Sequence, residues 1–131
     1  MQRMFLLAAS VVTLTGLTSA SVLAASPKTK IDPAQCFRTE RMANWASDDD
    51  QIIYVKLETG AVFQVSLVGK CPGLTTYRVL AFDTDFNSQM CNGRPASIIT
   101  RSGAGPLHCA VASVRALTKE EAKALPDSQR P

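Results

Sequence analysis

Gln51-Ile52-Ile53-Tyr54-Val55-Lys56-Leu57-Glu58-Thr59-Gly60-Ala61-Val62-Phe63-Gln64-Val65-Ser66-Leu67-Val68 is the stretch that decides the fold. Ile53, Val55 and Leu57 alternate with Ile52, Tyr54 and Lys56, and a period of two puts the two sets on opposite faces of a strand. β-branched and aromatic residues dominate, as suits a half-buried pleated surface. Glu58-Thr59-Gly60 interrupts the run, with a glycine free to take the positive φ that hairpin loops require. The alternation then resumes, with Phe63, Val65 and Leu67 set against Val62, Gln64 and Ser66. This predicts a β-hairpin whose buried face is Ile53, Val55, Leu57, Phe63, Val65 and Leu67.

Short strands and turns extend outward from the hairpin. Cys71-Pro72-Gly73 is a turn by composition, and Gly69 to Leu74 is assigned to it. Arg78 to Thr84 reads as a strand, Asp85 to Gln89 as a polar loop leading to Met90 and Cys91, and Asn92-Gly93 as a tight turn. Ala96 to Thr100 and Leu107 to Val114 read as strands joined by the loop Ser102 to Pro106. On the other side, Cys36 to Trp45 fits neither period and reads as a short strand followed by an irregular turn. The end carries a helix signal. Thr118-Lys119-Glu120-Glu121 has the spacing of a capping box, helix formers follow, and Pro126 stops the run. Leu117 and Leu125 are the residues expected to pack this helix. The predicted class is mainly β, a small antiparallel sandwich or barrel with one short C-terminal helix and two disulfides.

The first 25 residues have the form of an export signal. Met1-Gln2-Arg3 is a positive start, Met4 to Leu23 is apolar apart from Ser, Thr and Gly, and Ala24-Ala25-Ser26 is a small-residue cleavage site. The expected organisation is a signal peptide over 1–25, a flexible leader over 26–35, a single β-rich domain over 36–126, and a tail over 127–131. An exported chain works where thiols stay oxidised. Cys36, Cys71, Cys91 and Cys109, the only cysteines, then read as two disulfides. None of their spacings is C-x-x-C, which disfavours both a redox site and structural zinc. A nested pairing, Cys71 with Cys91 and Cys36 with Cys109, closes a local loop and ties the first strand to the last. The other two connectivities stay open.

Charge excludes some partners. The whole chain carries +3, and loss of Arg3 with the leader leaves +2. A value so near zero gives no electrostatic case for nucleic acid or for an anionic membrane surface.

Candidate chemistry is sparse. His108 is the sole histidine and stands beside Cys109, and there is no G-x-S-x-G nucleophile elbow. Asp83-Thr84-Asp85-Phe86-Asn87 opens like a calcium loop. Ser88 then stands where the turn glycine belongs, and Arg94 where a bidentate glutamate is needed. Glu40, Glu58, Asp83 and Asp85 offer carboxylates without a spacing that selects a glycosidase pair. Trp45, Tyr54 and Tyr77 could stack on a sugar or peptide. No catalytic residue, metal site or cofactor is assigned. The candidate binding loops are Asp48, Asp49 and Asp50, then Tyr77 and Arg78, then Asp85 and Asn87, because binding residues concentrate on loops held by a rigid scaffold.

Cys36-Phe37-Arg38, Trp45, the hairpin, Cys71-Pro72-Gly73-Leu74, Cys91, Cys109-Ala110-Val111, Val114 and Leu117-Thr118-Lys119-Glu120-Glu121 occur in an order that resembles a known pattern. It is that of a domain-of-unknown-function family of small, exported proteobacterial proteins with four cysteines. The resemblance spans about residues 35 to 125. It implies an envelope location and carries over no catalytic residue. The expected function is that of a periplasmic or secreted accessory that is not an enzyme. Its partner would be an unknown envelope protein or polysaccharide, with no stable membrane insertion once the signal is cleaved. A small exported hydrolase and a cation-binding module are the alternatives.

Overall fold

In the computed structural model, residues 33–131 apart from Phe86 are described. The predicted signal peptide over 1–25, and residues 26–32 of the leader, lie outside them. The strands are β1 (Cys36–Arg38), β2 (Met42–Ala46), β3 (Ile52–Leu57), β4 (Val62–Leu67), β5 (Ala81–Thr84), β6 (Gln89–Cys91), β7 (Ala96–Ser102) and β8 (Gly105–Ala116). Two short helices join them, α1 (Leu74–Tyr77) and α2 (Lys119–Ala124). Six strands form one antiparallel sheet in the order β2-β3-β4-β8-β7-β5, and β1 pairs with β6 as a separate ribbon. The sheet curls into a half-barrel, a partly closed form of the expected antiparallel architecture.

The alternation of the quoted stretch is what places β3 against β4. Ile53 lies opposite Val65 and Val55 opposite Phe63. Gly60 takes φ 85°, and Gly60 N–H donates to the Leu57 carbonyl at 2.8 Å to close the turn. Ile53, Val55, Phe63, Val65 and Leu67 are buried in the core cluster, while Leu57 packs against it half-buried. Each such side chain, fully buried, stabilises the fold by roughly 1.5–3 kcal/mol. β8 adds Val114, β7 adds Ile98, and α1 adds Leu74, all at 1% exposure or less. Phe37 and Met90 bring the ribbon into the same core. Thr100 is the exception on this face, its buried hydroxyl having no hydrogen-bond partner.

Local pattern and observed structure differ at several points. Met42–Ala46, expected to be an irregular turn, is an edge strand paired with β3, with a bulge between Met42 and Asn44. α1 falls where composition predicts turn and loop, since a single buried residue, Leu74, gives no helical period. It also shortens the next strand. Arg78 caps α1 at φ 50°, so β5 starts only at Ala81. Gln89, expected in a loop, begins β6. The loop expected over Ser102 to Pro106 is a tight turn, because β7 and β8 run on until Ser102 faces Gly105.

The nested disulfide pairing is incorrect. Cys36 is bonded to Cys91 and Cys71 to Cys109. Strand pairing is the cause. β1 lies beside β6, which sets Cys36 directly opposite Cys91. β8 lies antiparallel to β4, with Leu67 opposite Val111 and Val68 N–H donating to the Ala110 carbonyl. The chain leaving β4 therefore carries Cys71 to Cys109.

Both ends of the described chain are tied in. Pro33–Gln35, assigned to the leader, is a 3-10 turn; Gln35 Oε1 accepts from Ala116 N–H at 3.1 Å and its carbonyl from Asn92 N–H at 3.0 Å. In the segment assigned as a tail, Ser128 and Gln129 donate to the Asp48 carboxylate. Tyr54 and Val62, on the hairpin's outer face, are buried as well, and Leu117 N–H donates to the Val62 carbonyl there. Among the described residues no helix is long and apolar enough to cross a membrane.

Candidate functional site

Two of the three sequence-predicted loops come together in the fold. Asp50 adopts φ 58°, a conformation that costs most residues roughly 1–2 kcal/mol and that Asp tolerates better. Its Oδ1 accepts from the N–H and the hydroxyl of Thr75, at 2.7 and 2.8 Å, and its carbonyl accepts from Cys71 N–H. The loop before β3 is thereby fastened to α1. Asp49 Oδ1 accepts from the N–H groups of Gln51 and Ile52, and Asp48 receives Ser128 and Gln129. All three carboxylates are engaged within the chain. Replacing Asp50 by alanine will remove both side-chain bonds and leave a methyl group at positive φ, at a cost of about 2 kcal/mol. Asp50→Asn, which keeps an acceptor, should lose under about 1 kcal/mol; urea unfolding followed by Trp45 fluorescence reads both.

Tyr77, the last residue of α1, and Arg78, its cap, are exposed, Tyr77 at 45%. Gly73, at φ 96°, precedes this helix, and any Cβ there would press on the Arg101 carbonyl oxygen and the Tyr77 ring. Asp85 and Asn87 are exposed in the third loop, where Asn87 and Ser88 both take positive φ and the Ser88 carbonyl accepts from Thr39. That loop adjoins the ribbon. His108 Nδ1 lies 3.9 Å from Asp83 Oδ2 across β7, with both side chains more than half exposed. Solvent screens so open a pair to little net effect. Among the described residues no group of three or more His, Cys, Asp or Glu is placed to hold a metal ion.

A concavity lies elsewhere, on the hairpin's outer face. It is a cleft of about 800 Å³ between the hairpin turn, α2 and the last two residues. Ala61, Val62, Leu117 and Ala122 make it apolar, and Lys56, Lys119, Lys123 and Arg130 edge it with positive charge. Its walls are locally determined. Thr118 Oγ1 accepts from Glu121 N–H at 3.1 Å while Glu121 Oε2 accepts from Thr118 N–H at 2.8 Å, the capping box expected from sequence. Helical spacing then puts Lys119 and Lys123 one turn apart on the same side. Leu117 and Leu125 are half-buried, and no residue of α2 is fully buried.

Acidic groups near the cleft already have cations of their own. Glu58 pairs with Arg41 at 3.2 Å, Glu121 with Arg115 at 2.7 Å, and Asp127 with Arg130 at 2.9 Å. Arg130 also donates to the Lys123 and Leu125 carbonyls, so it serves the wall more than the opening. Lys56, Lys119 and Lys123 are exposed and take part in none of these pairs. No side-chain carboxylate lines the cleft, and Glu120 is outside the lining. The arrangement can hold an anion against an apolar surface. Its lining has no histidine or cysteine to serve as general base, nucleophile or metal ligand.

The capping box also sets a pH response. The Thr118 backbone N–H, followed by Arg115, holds the Glu121 carboxyl below the usual carboxylate range. A depressed folded value means that the stabilisation is present above the unfolded carboxyl pKa, near 4.3, and is lost as pH falls through the folded value. Amide exchange in α2, measured from neutral pH downward and corrected for intrinsic rate, should show loss of protection as pH falls below the ordinary carboxyl range, before the sheet opens.

A model of a family of unknown function, DUF6491, matches residues 1–131. The chain belongs to this family. No curated protein and no solved structure matches it. The family description assigns no activity, so function in this DUF6491 member has to come from its own residues. The three lysines of the cleft are not among the candidate residues that the sequence points to. Lys119 and Lys123 stand four apart on a recognised helix, which was a usable signal. Lys56 lies on the hairpin, and only the fold of the C-terminal segment onto that face brings it to them.

Proposed function

We propose that this chain is exported and acts in the periplasm or as a secreted protein, as a small non-enzymatic binding accessory of the cell envelope. Its partner is an envelope protein or polysaccharide. The observation that carries this reading is the combination of a fold with all four cysteines in disulfides and an anion-suited cleft on its outer face. Disulfides of this kind persist in oxidising compartments, and the export-type leader supports the same placement. Loops held by internal hydrogen bonds and a locked core suit a surface that is presented rigidly, which limits the entropy lost on binding.

Fractionation of the native host combined with mass spectrometry tests the placement. The expected product begins at Ala25 or Ser26, has no free thiol, and is extracytoplasmic. Cytosolic material with its leader intact and four free thiols would overturn it. Pull-down from envelope extracts with the oxidised domain, repeated at several salt concentrations, tests the binding role. Recovery of nothing above a control with substituted surface residues defeats that role. One observation favours the hydrolase alternative, the contact of His108 with Asp83. It is removed if a His108→Ala variant retains in full any hydrolysis found.

A further inference from the structure

We propose that the lysine-edged cleft binds an acidic peptide segment of a partner protein, seating an aliphatic side chain between carboxylates that meet Lys56, Lys119 and Lys123. This rests on the binding role above and narrows its partner to a protein. Charge complementarity selects the occupant. Three exposed lysines converge on one opening, while neighbouring Glu58, Glu121 and Asp127 are each neutralised by an arginine. An incoming carboxylate therefore meets positive charge without repulsion from any side chain of the lining.

The apolar floor and the size narrow the occupant further. A cleft of about 800 Å³ is far larger than a lone phosphate needs, and a bare anion would leave the half-buried Leu117 and Ala122 uncovered. A polysaccharide is disfavoured because no aromatic ring lines the cleft to stack on a sugar face. A membrane surface is disfavoured as well. The apolar groups are recessed between the lysines, and the large exposed hydrophobics, Val68, Tyr77 and Val79, lie outside the lining. A short peptide in which a leucine is flanked by Asp and Glu fits both halves of the chemistry.

The test is chemical-shift mapping on the full oxidised chain with the peptide acetyl-Glu-Asp-Leu-Glu-Asp-amide. Its Gln/Asn counterpart, inorganic phosphate and phosphatidylglycerol vesicles serve as competing probes. The expected result is saturable shifts confined to residues 56–62 and 117–123, weakened by salt and absent with the uncharged counterpart. Combining Lys56→Gln, Lys119→Gln and Lys123→Gln should weaken the peptide on the order of tenfold. Lys123→Gln alone, on an exposed helix position, should weaken it by a smaller factor and guards against a folding defect in the triple variant. Shifts elsewhere, no shifts, or saturation by phosphate or vesicles without a response to the peptide would each overturn the assignment. A partner captured from the envelope equally well by the triple variant would leave the binding role standing and overturn this site alone.

Discussion

Replacing Cys71 and Cys109 together by alanine will lower the unfolding free energy by about 4 kcal/mol, and the same change at Cys36 and Cys91 will cost about as much. The bridges close separations of 38 and 55 residues, and restriction of the unfolded chain changes only slowly over that range. A domain of this size has roughly 5–15 kcal/mol of stability in all. Either loss alone should move the urea midpoint down by roughly 2 M, and reduction of both should leave little folded protein at 37 °C. The two variants should also fail differently. β1 and β6 share three residue pairs, and so short a ribbon does not hold by itself. Without Cys36–Cys91 the ribbon should lose amide protection before the sheet does. A reduced protein that kept the oxidised midpoint would refute this account of the fold.

Phe37→Ala should be the most damaging single core change, costing about 3–5 kcal/mol. Phe37 is 4% exposed and, with Met90, carries the ribbon into the half-barrel. Its ring centroid lies 5.0 Å from that of Phe63 and 5.9 Å from that of Phe82, the second an edge-on contact. Phe63 is on β4 and Phe82 on β5, strands separated in the sheet by β8 and β7. The ring therefore bridges two walls of the curl. Truncation leaves a cavity that both walls would have to move to fill. Phe37→Leu keeps most of the volume and should cost less than half as much. Urea unfolding with Trp45 fluorescence decides it, and a loss under about 1 kcal/mol for the alanine variant would place the weight of the core elsewhere.

Legibility of the fold followed the range of the interactions. The hairpin could be read because its alternation and Gly60 are local, and the helix because Thr118 and Glu121 are three residues apart. β2 could not. Met42, Trp45 and Ala46 face no regular apolar stripe, and this edge strand exists because β3 offers it a ladder. The disulfide partners depend on which strands become neighbours, information that spacing does not carry. The same limit governed the site. Asp48 to Asp50 looked like free charge, yet their acceptors are taken up by Gln51, Ile52, Thr75, Ser128 and Gln129. The lysines of the cleft looked scattered until β3 and α2 were set side by side.

The two bridges overlap along the chain, so residues 72 to 90 belong to both closed rings. That interval contains Tyr77, Arg78, Asp85 and Asn87, all of them exposed. One cut anywhere inside it yields two fragments still joined covalently at two places, each carrying one half of each bridge. The clipped molecule would keep its mass on a non-reducing gel and separate only on reduction. In surroundings rich in proteases, such a chain can be nicked without coming apart.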